Sequence, residues 1–145
     1  MKVVIQRVSN AKVEVSGKIC GKISKGLLVF VGFDKHDDKL SADKMISKLL
    51  SYRVFSDNED KMNLSIKDVQ GDLLIVSQFT LVAETETGTR PGFSTAKPPN
   101  EAKNLYDYFI SQINNSHDHV ESGKFGADMK VSLTNDGPVT FILSC

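Results

Sequence analysis

The chain has 145 residues, about one domain's length, and its 18 basic and 18 acidic side chains cancel. Its 40% apolar and 25% charged residues are ordinary for a soluble globular protein, and a chain this long folds without disulfides or a structural metal. Collagen, coiled coil, long disorder and a membrane-spanning helix are excluded: the longest apolar stretch, Gly26 to Phe33, falls far short of the roughly 20 residues a bilayer requires.

Residues 2–8 read as a strand. They lack the apolar core and small-residue cleavage site of a signal peptide, so a cytoplasmic location is expected. Ala11, Val13 and Val15 alternate with Lys12, Glu14 and Ser16 as a half-buried strand, and Ser16-Gly17-Lys18 predicts a hairpin into Ile19 to Ile23. Leu27 to Val31 predicts a fully buried strand. Asp37 or Ser41 is placed to cap a helix whose buried face carries Ala42, Met45, Ile46, Leu49 and Leu50. Val54-Phe55 is a short strand before the polar turn Ser56 to Asp60. Leu73 to Phe79 is a second buried strand.

Residues 82–98 form a polar segment with two glycines and two prolines, and no element is predicted there. Pro99 opens a second helix with Ala102, Leu105, Tyr106, Phe109, Ile110 and Ile113 on its apolar stripe. Met129, Val131 and Leu133 alternate as a strand, and Val139 to Leu143 forms another after the turn Asn135-Asp136-Gly137-Pro138. The pattern predicts a single mixed α/β (α+β) domain over residues 1–145. It has a curled, mostly antiparallel sheet or partly open barrel with two main helices.

The neutral total hides an asymmetry. Residues 1–33 hold six basic side chains against Glu14 alone, a net of +5, and the remainder is acidic. A protein that wraps duplex is normally basic throughout, so at most a short nucleic-acid end fits this distribution. Lysines solvating the polar faces of early strands account for it equally well.

Three places could carry chemistry. Ser77-Gln78-Phe79-Thr80-Leu81 ends a buried strand just before a long loop, which puts polar groups at a pocket rim or simply marks a strand leaving the core. Gly137-Pro138 is a turn, or a rigid kink that presents backbone carbonyls with no side chain in the way. Gly123-Lys124-Phe125-Gly126-Ala127-Asp128-Met129 sets an aromatic ring between two glycines, which suits either a core turn or stacking on a base. His117-Asp118-His119 lacks a third ligand and reads as a solvated helix end. Cys20 and Cys145 lack zinc spacing and are expected as reduced thiols. No nucleophile elbow, phosphate loop or zincin helix is present, so no metal and no cofactor are expected.

Taken together, these segments resemble the D-aminoacyl-tRNA deacylase (D-tyrosyl-tRNA deacylase) family. The likeness runs from Val4-Ile5-Gln6-Arg7-Val8-Ser9 through Lys61-Met62-Asn63-Leu64-Ser65, Ser77-Gln78-Phe79-Thr80-Leu81 and Arg90-Pro91-Gly92-Phe93. It ends with Phe125 to Met129 and Asn135-Asp136-Gly137-Pro138-Val139-Thr140. The resemblance implies a cytoplasmic homodimeric editing hydrolase that frees a D-amino acid from the 3′-terminal adenosine of tRNA, rejects L-aminoacyl-tRNA and also clears glycyl-tRNA. It implies that Gly137 and Pro138, joined by a cis peptide, enter the partner's pocket as the chiral selector. Ser77, Gln78, Phe79 and Thr80 would line that pocket, with Phe125 and Met129 on the adenosine. Thr80 would be the nucleophile, or else the ribose 2′-OH would activate water, and a Thr hydroxyl without a base favours the second. The loop Val82 to Gly88 departs from the family pattern, which often has an aromatic after the Leu and a basic residue before the Gly; Glu86 would weaken phosphate contacts, and Gly92 stands where Ser is common. A non-catalytic module binding single-stranded nucleic-acid ends is the competing class.

Overall fold

The computed structural model describes residues 1–145. Eight strands, two α-helices and one 3-10 turn follow in the order β1 (Lys2–Val15), β2 (Lys18–Ile23), β3 (Gly26–Gly32), α1 (Lys39–Ser51), β4 (Phe55–Ser56), β5 (Met62–Leu64), β6 (Asp72–Ser77), the 3-10 turn Phe79–Val82, α2 (Pro99–Ser116), β7 (Val120–Ser122) and β8 (Lys130–Ser144).

The predicted class holds. The main sheet runs β2-β1-β3-β6-β7, with β8 on the other side of β1. β1 is antiparallel to β2, β3 and β8, while β3–β6 and β6–β7 are parallel. The 14 residues of β1 serve two neighbours in turn: Lys2 to Val8 pair with β3, and Ala11 to Val15 pair with β2. That hand-over curls the sheet. Its two ends nearly meet, since a Cβ on Gly21 of β2 would lie 3.1 Å from the carbonyl oxygen of Ser122 in β7. The barrel is therefore partly open, with the helices on its outer face.

β3 and β6 read as unbroken apolar runs because both of their faces are buried. Leu27, Val29, Val31, Leu73 and Ile75 face the helices and join Met45, Leu49, Phe109 and Ile113 in the larger core. Leu28, Leu74 and Val76 face the inside of the curl with Val8, Val13 and Ile23. α1 buries the five residues of its predicted stripe. α2 buries Ala102, Leu105, Tyr106, Phe109 and Ile113, while Ile110 at the stripe's edge is only half-buried.

Four local expectations are corrected. The N-cap of α1 is Asp38, whose carboxylate accepts the Ser41 N–H at 2.8 Å, with Ser41 completing a capping box. The strand into Ser77-Gln78 stops at Ser77 and tightens into the 3-10 turn. Residues 82–98 are organised: Glu84 and Gly92 exchange backbone hydrogen bonds, and the Thr95 hydroxyl donates to the Val82 carbonyl at 2.6 Å. Residues 135–138 are no hairpin turn. β8 continues through them, and β1 pairs with it on both sides.

The β1–β8 ladder is unequal. Gln6 faces Thr140 and Val8 faces Asn135, so two steps on β1 span five on β8, and β8 carries three extra residues. They leave the ladder as a bulge that exposes Asp136, Gly137 and Pro138 and turns Val139 inward.

The Ser41 N–H and hydroxyl hold the Asp38 carboxyl below the usual carboxylate range. A depressed folded pKa adds stability above the unfolded value of about 4, lost as pH falls through the folded one. Asp38→Ala should therefore lower the thermal midpoint at pH 7, and the difference from wild type should close in acid. Circular dichroism melts at pH 7 and below pH 3 check this.

Candidate functional site

A cavity of about 670 Å³ opens where β6 gives way to the 3-10 turn. Ser77, Gln78 and Phe79 form one wall, and Phe125, Gly126, Ala127 and Met129 form another. The segment before α2 closes the third side with Phe93, Lys97 and Pro98, joined by Ala102 from the first turn of α2. Two segments singled out from sequence, far apart in the chain, thus meet at one apolar hollow.

Each wall has a local cause. The Gln78 N–H donates to the Val31 carbonyl at 2.8 Å, which anchors the start of the turn in the sheet. Phe79 and Thr80 are its first residues, so their N–H groups have no partner within it, and Gln78 supplies no side-chain cap. Phe79 stays exposed, with Phe93 tilted against it at 5.1 Å between centroids. On the other wall, Gly123 donates its N–H to the Ile75 carbonyl at 2.9 Å, and a Cβ there would lie 2.7 Å from the Met129 sulfur. Gly126 takes φ +75°, which lets the chain turn back after Phe125. The Phe125 ring packs on Tyr106 at 5.6 Å, and Tyr106 donates to the Ile75 carbonyl at 3.1 Å. Burial above all, then the Asp107 charge, raises the Tyr106 hydroxyl far above its ordinary pKa, so it stays a protonated donor.

Thr80 does not line the cavity. Its hydroxyl accepts a hydrogen bond from Gln78 Nε2 at 2.6 Å. An amide cannot take a proton from it, so no base activates this oxygen. Lys97 is the one ionisable residue on the cavity wall, and its ammonium is engaged by the Lys35 carbonyl at 3.1 Å and Glu101 at 3.7 Å. The histidines lie elsewhere: His117 ends α2, its ring bonded to the Gly71 carbonyl at 2.7 Å.

Gly137 and Pro138 are exposed on the β8 bulge and do not line the cavity. Their peptide bond is cis. Arg7, on the facing strand, supports the bulge from below. Its Nε donates to the Asp136 carbonyl at 3.0 Å, and its Nη1 donates to the Val54 carbonyl at 2.7 Å. Its side chain is only 13% exposed. Gly137 takes φ +134°, and a Cβ there would meet the Val139 nitrogen at 2.9 Å and the Arg7 guanidinium at 3.2 Å. Nothing larger than glycine fits without moving the support.

The sequence reading thus placed five of its eight candidate residues together: Ser77, Gln78, Phe79, Phe125 and Met129. It missed Arg7, Phe93, Lys97 and Ala102. Arg7 falls on the same face of β1 as the buried Val3 and Ile5, and nothing near it in the sequence shows what its charge bonds to. The other three lie in or beside the loop, and only the fold brings them to the cavity.

Residues 4–144 match the family model described as D-Tyr-tRNA(Tyr) deacylase. The chain is 55% identical to a D-aminoacyl-tRNA deacylase of Stutzerimonas stutzeri and 57% identical to one of Pseudomonas fluorescens, over 99% of each chain. A solved structure described as a c-Myc DNA unwinding element binding protein superposes with a TM-score of 0.96 at 37% identity, covering 100% of this chain and 99% of that one. A second, described as a probable eukaryotic D-amino acid tRNA deacylase, gives 0.85 at 18% identity, covers 98% and 97%, and shows the shared fold.

Arg7→Ala should cost about 2 kcal/mol, since it removes two charge-assisted hydrogen bonds from a largely buried site. Amide exchange should quicken at Gly137 and Val139 before it does in β3 or β6. Uniform acceleration across the sheet would contradict the supporting role.

Proposed function

The chain belongs to the D-Tyr-tRNA(Tyr) deacylase family, and we propose that residues 1–145 act as one editing domain whose cavity receives the aminoacylated 3′ end of tRNA. The protein is a D-aminoacyl-tRNA deacylase: it hydrolyses the ester between a D-amino acid and tRNA, releasing both.

The observation that carries the mechanism is the absence of any side-chain base at an otherwise well-formed cavity. Water adds to the ester carbonyl, the bond to the ribose oxygen breaks, and free carboxylate and tRNA leave. The oxyanion is assigned to the N–H groups of Phe79 and Thr80, which the start of the 3-10 turn leaves without partners beside the cavity. Such donors contribute roughly 3 kcal/mol each to the transition state. Proton transfer falls to the neighbouring 2′-OH of the terminal ribose, because Thr80 is tied to Gln78 and Lys97 to Glu101 and Lys35. Ser77 and Gln78 orient the ester, and Phe125 and Met129 hold the adenine through apolar contact.

Selection between mirror-image substrates needs a wall that does not yield, because D and L esters carry the same groups. Gly137 and Pro138 supply it from the partner of a homodimer. They project from the sheet on a braced bulge, away from their own cavity. β8 pairs with β1 along one side only and leaves Ile142 73% exposed, a surface a second copy can cover. The wall's carbonyls bind the α-amino group and leave no room for an L side chain. Glycine has no side chain to exclude, so glycyl-tRNA also passes. No helix is long and apolar enough to cross a membrane. We place the enzyme in the cytoplasm, where its substrate is made.

The relative described as a DNA unwinding element binding protein keeps a second reading in view, binding of single-stranded ends without turnover. Incubation with D-tyrosyl-tRNA and L-tyrosyl-tRNA separates the two. Release of D-tyrosine alone is expected; binding without release supports the second reading, and equal release of both enantiomers removes the selector. Thr80→Ala should keep kcat within about tenfold, whereas a 2′-deoxy terminal ribose should lower it by about a hundredfold or more. Complete loss of activity in the folded Thr80→Ala variant would return the nucleophile to the protein.

A further inference from the structure

We infer that the nucleotides preceding the terminal adenosine leave the cavity past Phe125 and lay their phosphodiesters in the groove between α2 and the 122–125 segment, on Lys103 and Lys124. This rests on reading the cavity as the ester site. Phe125 is the shared wall: it lines the cavity on one side and, on the other, a groove of about 340 Å³ formed by Lys103, Tyr106, Ile110, Ser122 and Lys124. A strand whose last base rests on Phe125 therefore meets this groove next. Its floor is apolar, through Tyr106 and Ile110, and its rims carry two cations and the Asp107 carboxylate.

Charge decides the direction. Lys124 is exposed and forms no ion pair. Lys103 pairs at 2.5 Å only with Asp107, one turn along the same helix and 57% exposed, an interaction weak enough to be exchanged for a phosphate. The alternative exit, past Val82 and Thr95, opens on a hollow lined by Asp34, Glu84 and Glu86, with Lys2 as its single cationic side chain and the Met1 ammonium held by Asp37, and repels a polyanion. Of the basic residues near the N-terminus, Lys18 and Lys25 are exposed but line neither the cavity nor this groove. Arg7 is spent on the bulge, Lys12 pairs with Glu14 at 3.3 Å, and Lys22 shares its hollow with Asp72, Asp118 and Glu121.

The test compares Lys103→Glu/Lys124→Glu with Lys18→Glu/Lys25→Glu, an equal charge change at exposed positions near the early strands. On D-tyrosyl-tRNA at about 0.1 M salt the first pair should raise KM about tenfold with kcat altered less than about twofold. It should also flatten the dependence of log KM on log salt by about 0.7 for each phosphate no longer neutralised. The second pair should move KM less than about twofold. Fluorescence anisotropy of a labelled ACCA oligoribonucleotide, read on the same variants, reports the groove without turnover. Unchanged KM and anisotropy in the first pair, or equal weakening in both, overturns the inference. Absence of D-tyrosine release by wild type, with oligonucleotide binding still abolished in the first pair, overturns the activity and leaves the groove standing.

Discussion

The mismatch between β1 and β8 is the constraint on which the site depends. Two strands paired along nearly their whole length cannot absorb three extra residues in plane, so the surplus must leave the sheet. It leaves at glycine and proline, which have least to lose from an unpaired backbone. Arg7 then turns a loose bulge into a fixed one: a single guanidinium binds the carbonyl of Asp136 above and that of Val54 beside it. The same bulge reverses which face of β8 is buried. Met129, Val131 and Leu133 pack inside the curl, while Val139, Phe141 and Leu143 pack against the helices. Removing the extra residues would invert one half of the strand, so the projecting dipeptide and the core are one design.

The proposed mechanism divides labour in the cavity along the substrate's chemistry. An ester already has a good electrophile and, at the end of tRNA, a hydroxyl on the adjacent ribose carbon. A protein serving it needs donors at fixed positions more than it needs a base. The 3-10 turn provides such donors because the first N–H groups of a helical turn are left over by its own geometry. The hydroxyl of Thr80 is committed to Gln78, which stiffens the turn that carries those donors. A residue that looks like a nucleophile in sequence is better placed to brace the backbone.

What could be read from sequence divides along the same physical line. The stripes of α1 and α2 and the unbroken runs of β3 and β6 were legible because burial imposes periodicity within a single element. Ser77-Gln78-Phe79 and Phe125-Met129 stood out as cavity candidates because polar or glycine-flanked groups contrast with apolar runs. β7 was not: its three residues pair only with β6 and carry no pattern of their own. β8 misled because Gly-Pro locally ends a ladder, and only the partner strand, more than 120 residues away, carries the chain through it. Arg7 was hidden because its partners, the carbonyls of Val54 and Asp136, lie far along the chain and leave no mark beside it.

A neutral chain that handles a polyanion has to solve recognition by placement, since net charge gives it no long-range attraction. Two features of this fold do so. Several cations, Arg7, Lys12 and Lys97 among them, are held by nearby carboxylates, which suppresses adhesion to nucleic acid at large and makes extended duplex a poor ligand. The unpaired Lys124 sits beside an aromatic ring that only an unstacked base can cover, so charge and stacking are rewarded together at one place. Glu84 and Glu86, on the loop that forms the opposite lip, discourage the strand from lying the other way. Specificity for a single-stranded end then comes from coincidence of short-range contacts, and a free end is the part of a folded RNA that can bring its last base, its ribose hydroxyl and its preceding phosphates into three adjoining sites at once.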